Sequence, residues 1–238
     1  MARLKVVGSG SAGNCYIIEC ERETLVLDLG SPWKDILAGL NFDIKPVVGC
    51  IVSHEHTDHS QSIKNALMYD IPVYTNEATE LKVGGIALQH KKAYLVGENF
   101  TVLPLRVPHG DVECYSYIVR HPEIGSLLFC TDLTSFPYTV PNLNHILIEA
   151  NYSKDTLVEQ ICENAPWRSH PENHLSIDTC CEILSRHKSS ALNNVMLVHL
   201  SRTNSDEKAF RARVRDVIGM EPFVAHPGVS FDINKDEF

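Results

Sequence analysis

Between positions 54 and 59 the chain reads His54-Glu-His56-Thr-Asp58-His59, three imidazoles and two carboxylates within six residues. Imidazole and carboxylate together suit zinc, manganese or iron, and donors this dense can serve two ions rather than one. In an extended segment side chains alternate, which would send His54, His56 and Asp58 to one side. A helix starting at Ser60 would then hold His59 at its first turn, within reach of the same space. His109, Asp132 and His199 each follow an apolar run at its C-terminal end, the position where α/β folds build their sites. These seven donors divide into His54, His56 and His109 on one ion and Asp58, His59 and His199 on the other, with Asp132 bridging. Open positions on such ions hold a water or hydroxide, whose pKa falls toward about 7 on zinc.

The elements that must position these residues are legible as runs of Val, Ile, Leu, Tyr and Phe separated by Gly, Pro and Asp. Strands are expected over 3–7, 15–19, 25–30, 47–52, 72–74, 100–107, 114–120, 127–130, 146–150, 195–198 and 222–225, the last closing the fold. Residues 82–97 are expected to form an irregular connection. Ile63, Ala66 and Leu67 have the spacing of a helix face, and Glu77 to Lys82 reads as a further helical turn or two. Ser153 is expected to cap a helix carrying Leu157 and Ile161, and Ser176 one carrying Ile177, Cys180, Cys181 and Leu184. Asn204 with Glu207 reads as a capping box before a helix bearing Phe210, Val214 and Val217. Strands in two batches, each followed by helices, predict an α/β fold: a four-layer αββα sandwich, one domain over 1–238. The loop Gly8-Ser-Gly-Ser-Ala-Gly13 is either a phosphate cradle or a plain hairpin turn. Asp28, on an otherwise apolar strand, is a buried acceptor or a partner for a ligand histidine.

With 238 residues and 44% hydrophobic content the chain can bury a full core. Its net charge is -9, without a long basic run, so any nucleic-acid contact must be a local patch near the site rather than a general coating. Lys64, Arg168 and Arg202 are the residues from which such a patch could be built. The N-terminus enters a strand at once and the apolar runs are strand-length, giving no signal peptide and no membrane span. Eight scattered cysteines without a Cys-x-x-Cys pair read as free core thiols of a cytoplasmic protein. His90, His121, His145, His170, His187 and His226 are read as solvated or core residues.

The pattern His54-x-His56-x-Asp58-His59 with His109, Asp132 and His199 resembles the metallo-β-lactamase fold hydrolases over essentially the whole chain. Ser9-Gly-Ser-Ala-Gly-Asn14, Glu149-Ala-Asn151, Asn173-His-Leu-Ser176 and Val198-His-Leu-Ser201 are similar to the YycJ/WalJ group of DNA exonucleases and to tRNase Z. Asn173 stands where that pattern usually has glycine, and no RNA-binding arm or β-CASP insertion is present. The resemblance implies a metal-dependent phosphodiesterase or nuclease, with single-stranded DNA as substrate and two divalent ions, zinc first and manganese or iron next. It also implies that Glu149 orients His174, that His174 protonates the leaving alkoxide, and that Asp58 helps orient the attacking hydroxide. A small-molecule hydrolase acting on a cyclic nucleotide, thioester or lactone is the second expectation, and a metal-binding sensor without turnover the third.

Overall fold

The computed structural model describes residues 1–156 and 173–235, so Leu157, Ile161, Arg168 and His170 lie outside the described residues. Among the described residues two seven-stranded sheets face each other. The strands are β1 (Arg3–Gly8), β2 (Cys15–Glu19), β3 (Thr24–Leu27), β4 (Val47–Ile51), β5 (Val73–Thr75), β6 (Ile86–Ala87), β7 (Tyr94–Val96), β8 (Phe100–His109), β9 (Val112–His121), β10 (Gly125–Cys130), β11 (His145–Glu149), β12 (Asn194–Val198), β13 (Phe223–Val224) and β14 (Ser230–Asp232). The first sheet runs β14-β1-β2-β3-β4-β5-β6 and the second β13-β12-β11-β10-β9-β8-β7.

The period-2 alternation of buried strands builds the four layers. Ile51 of β4 and Leu147 of β11 face inward, into a core with Tyr16, Leu27, Phe129 and Val198. The ring of Tyr16 meets that of Phe129 edge-on at 5.6 Å. Their neighbours point outward: Cys50 packs with Ile36, Ile63 and Ala66 of the helices Trp33–Gly39 and Ile63–Met68. Ile146 and Ile148 pack with Ile183, Leu184, Phe210 and Val214 of the helices Ile177–His187 and Glu207–Ile218. Each such side chain contributes on the order of 1.5–3 kcal/mol on burial.

Four expectations are corrected, and one helix that was not expected is found. Residues 82–97 contain β6 and β7, two short edge strands rather than an irregular connection. The chain does not close at 225, because β14 returns to pair Ser230 with Lys5 and Asp232 with Arg3. The helix Trp33–Gly39 follows Pro32 and buries only Ile36, so it carries no apolar stripe to read. The cap of the helix Glu207–Ile218 is Asp206, whose carboxylate accepts the Ala209 N–H at 3.0 Å, not Asn204. The metal-motif segment turns helical at Thr57 rather than Ser60, with His59 N–H donating to the His56 carbonyl at 2.9 Å. Ser176 caps its helix as expected, accepting from Thr179 N–H. No helix among the described residues is long and apolar enough to cross a membrane.

Candidate active site

Six strands deliver the polar groups at their C-terminal ends. β3, β4 and β5 are mutually parallel in one sheet, as are β10, β11 and β12 in the other. Asp28 follows β3, Ser53 and His54 follow β4, His109 ends β8, Asp132 follows β10, Glu149 ends β11 and His199 follows β12. Asp28, Asp132 and His199 leave their strands with φ of 57°, 52° and 53°, in the left-handed region that costs a non-glycine residue of order 1 kcal/mol or more. That turn directs each side chain into the space between the sheets instead of along the strand.

The seven expected donors converge as two sets that share Asp132. In the first set His54 Nε2 lies 2.9 Å from His56 Nδ1, and His109 Nε2 lies 3.2 Å from the same atom. Asp132 Oδ2 is 3.7 Å from both Nε2 atoms. In the second set His59 Nε2 is 3.5 Å from Asp58 Oδ2 and 3.3 Å from Asp132 Oδ2. His199 Nε2 is 3.5 Å from Asp58 Oδ2 and 3.5 Å from Asp132 Oδ1. The helical turn at Thr57 is what separates the sets. His54 and His56 are still in extended backbone and meet each other, whereas Asp58 and His59 are swung to the far side of Asp132.

The outer ring nitrogens decide what the inner ones offer. Asp28 Oδ1 accepts the Ser53 N–H at 2.8 Å, and its Oδ2 faces His59 Nδ1 at 2.7 Å and the Ser53 hydroxyl at 3.3 Å. His59 Nδ1–H therefore donates to Asp28. Since the Ser53 hydroxyl also donates to Asp28, its oxygen accepts from His54 Nδ1–H at 3.0 Å. His109 Nδ1–H donates to the Asn173 carbonyl at 2.8 Å. Glu149 Oε1 lies 3.4 Å from His199 Nδ1. With Nδ1 protonated on His54, His59 and His109, these neutral rings direct Nε2 lone pairs inward at Asp132. Converging lone pairs and carboxylates repel unless a cation lies among them, so this donor set fits divalent ions, and outer partners of this kind orient and strengthen metal ligands.

Protons take the cation's place when none is present. Burial opposes charge on His199, yet Asp132, Asp58 and Glu149 around it push its pKa up to about 10. His59 is likewise buried and likewise raised, by Asp132 and Asp28. Burial, with His59 and His109 close by, pulls His54 well below its ordinary value. Asp132 is held well below the usual carboxylate range in spite of its burial, by His199, His59 and His54.

His174 completes the site. Its Nδ1 is 2.6 Å from Glu149 Oε1, and its ring stacks on His199 with centroids 5.1 Å apart and planes at 17°. Glu149 is fully buried and its Oε2 accepts the N–H groups of Leu133 and Leu175 at 3.1 and 3.2 Å. Burial opposes charge on His174, but Glu149 outweighs it and raises the pKa. With Nδ1 held, Nε2 remains for a cavity of about 450 Å³ that is also lined by His56, Asp58, Ser11, Ser201 and Arg202. Lys64 lines a neighbouring depression on the far side of His56.

Sequence reasoning did not find Ser53, Asn14 or the link from Glu149 to His199. The glycine-rich loop braces the ligand segments: Asn14 N–H donates to the Asp58 carbonyl at 2.7 Å, the Asn14 side-chain nitrogen is 3.0 Å from His59 Nε2, and Ser9 Oγ accepts the His199 N–H at 3.0 Å. Gly30 packs so closely on the Asp58 carbonyl that no Cβ fits there. Asn151 reaches His199 Nδ1 and its carbonyl, both at 3.0 Å. The signal available in the sequence was a run of small residues ending in Asn14, whose partners Asp58 and His59 lie 44 and 45 positions away.

Two sheets with a shared His/Asp cluster at their C-terminal edges define a metal-dependent hydrolase on an αββα scaffold. Residues 8–64 match the metallo-β-lactamase superfamily. The solved metallo-β-lactamase fold protein YhfI from Bacillus subtilis superimposes with a TM-score of 0.76 at 19% identity, over 98% of this chain and 100% of that one. The exodeoxyribonuclease YycJ of Bacillus anthracis is 31% identical over 132 residues, 52% of this chain and only 47% of the relative. The exodeoxyribonuclease WalJ of Streptococcus pneumoniae serotype 2 is 25% identical over 233 residues, 85% of this chain and 83% of the relative.

Asp28→Asn should weaken binding of one of two ions by about 10–100-fold, because it removes the charge that fixes His59 while preserving shape. Chelator competition monitored on the purified protein measures this, and an unchanged affinity would show that Asp28 serves the fold alone.

Proposed function

We propose that the protein is a dinuclear phosphodiesterase acting on nucleic acid, as a DNA exonuclease on single strands. Zinc is the leading metal and manganese or iron the alternatives. His54, His56 and His109 would hold one ion, Asp58, His59 and His199 the other, with Asp132 shared. When bound, the ions supply Lewis acidity toward phosphate oxygens and toward the attacking water. Asp58, partly open to the cavity, orients that water. His174 Nε2–H donates a proton to the departing oxygen, and Glu149 keeps the ring charged and aimed. The observation that carries this reading is the His174–Glu149 pair beside the cluster, since a proton donor is what an alkoxide leaving group needs. Both curated relatives bear the name exodeoxyribonuclease, which supports DNA as the polymer. Lys64 and Arg202, lining two depressions that share His56, supply local positive charge for the strand. The seven cysteines among the described residues are all free, in keeping with a reducing cytosolic setting for one domain over 1–238.

A second reading, hydrolysis of a small phosphodiester, thioester or lactone, is favoured by the net charge of -9. Salt separates the two. On single-stranded oligonucleotides log K should fall linearly with log salt at about -0.7 per phosphate contacted. A Michaelis constant for oligonucleotides that ignores salt, together with rapid turnover of a cyclic nucleotide, would favour the second reading.

A further inference from the structure

We propose a further cation site at the opposite end of the sandwich, formed by Cys20, His121 and Glu123 and suited to a borderline-soft divalent ion of the zinc type. One donor atom from each of the three lies within 4.8 Å of the others. A thiolate, an imidazole and a carboxylate are the donors such ions take, and three of them leave one tetrahedral position for solvent.

The placement is remote from the active site. Asn14, just ahead of β2, touches Asp58, whereas Cys20 follows the other end of that strand. His121 ends the ten-residue strand β9, which begins beside His109, so the two clusters stand on the order of 30 Å apart along the strands. Because β2 and β9 belong to different sheets, an ion held here would tie the sheets together at the end away from the chemistry.

The local hydrogen bonds prepare the ring. Glu123 N–H donates to His121 Nδ1 at 3.2 Å, so that nitrogen carries the ring's lone pair, and an ion would take it in place of this long contact. The ring proton is then on Nε2, 3.7 Å from Oε2 of the buried Glu23 carboxylate, the carboxylate–imidazole order found behind metal ligands. Glu23 is itself fixed by accepting the N–H groups of Glu98 and Asn99. Burial lowers the His121 pKa, outweighing the upward pull of Glu123 and Glu23, and keeps the ring neutral. Glu123 Oε2 accepts from Glu21 N–H at 3.3 Å and lies 3.9 Å from the Met1 amine, contacts that this oxygen can keep while Oε1 turns to an ion. The Cys20 thiol, pushed up to about 12 by burial and by Glu123 and Glu23, loses its proton to solvent as the metal–sulfur bond forms.

Cobalt(II) tests the proposal because the active-site donors are all nitrogen and oxygen. Titrating cobalt into the full chain should produce a thiolate-to-cobalt charge-transfer absorption, with about one ion more than the active site takes. Cys20→Ser should abolish that absorption and lower the stoichiometry by one ion while leaving hydrolytic turnover unchanged, and His121→Gln should do the same. Cys20→Ser keeps a similar side chain at a half-exposed turn, and Glu123→Gln provides a second variant if either of the others fails to fold. Absence of the thiolate absorption in wild-type protein whose active site is loaded, or its persistence in Cys20→Ser, overturns the proposal.

Discussion

Asp132→Ala is expected to empty both active-site ion positions and to lower turnover by on the order of 10³-fold or more, since several kcal/mol of charge stabilisation is lost. Asp132 alone belongs to both donor sets: its Oδ2 faces His54, His59 and His109, and its Oδ1 faces His199. Without that carboxylate the first set is three imidazoles, and the second retains a single charge on Asp58. Asp132→Asn keeps the shape and one acceptor, so it should retain part of the metal but little of the activity. Elemental analysis after dialysis, with circular dichroism to confirm the fold, checks both variants. Two ions per chain in Asp132→Ala at near wild-type turnover would sink the assignment. The fold itself should survive, because alanine in the left-handed backbone at Asp132 adds only on the order of 1 kcal/mol of strain.

The expected ligands were legible because polar residues interrupt apolar strands, and an apolar run can end in a His or Asp only where that side chain has company. The structure gathers all seven into two clusters. The sandwich was legible for a related reason: strands buried on both faces, such as β3 and β11, read as continuous apolar runs bounded by turns. What stayed hidden is what periodicity does not carry. β6 and β14 have two and three residues, too few to show alternation. Ser53 and Asn14 are ordinary loop residues by type, and their importance lies in partners placed by the fold: Ser53 hydroxyl between Asp28 and His54, Asn14 against His59. Asp28 reads in the sequence as a buried acceptor or a partner for a histidine, and it is buried and stands 2.7 Å from His59 Nδ1. The alternation that places His54 and His56 together was read correctly, but its extension to Asp58 failed because a helical turn begins at Thr57.

His174→Ala is expected to keep both ions yet to slow cleavage of a phosphodiester with a poor alkoxide leaving group by about 10²–10⁴-fold, the usual contribution of a general acid. An activated p-nitrophenyl ester departs without a proton, so its hydrolysis should be nearly spared. Glu149→Gln should give a weaker version of the same selectivity, since the amide retains a hydrogen bond to Nδ1 but no charge. The acid must carry its proton to act, so the rate on the unactivated substrate should fall as pH rises through the His174 pKa. Burial works against that proton and the adjacent Glu149 lifts it, while bound cations push the other way. His174→Ala should remove this alkaline limb altogether, and Glu149→Gln should move it to lower pH. Equal losses on both substrates would make His174 a binding or structural residue. Lost metal would make it a ligand, an alternative its position within one His/Asp/Glu group with Asp132 and His199 makes worth measuring.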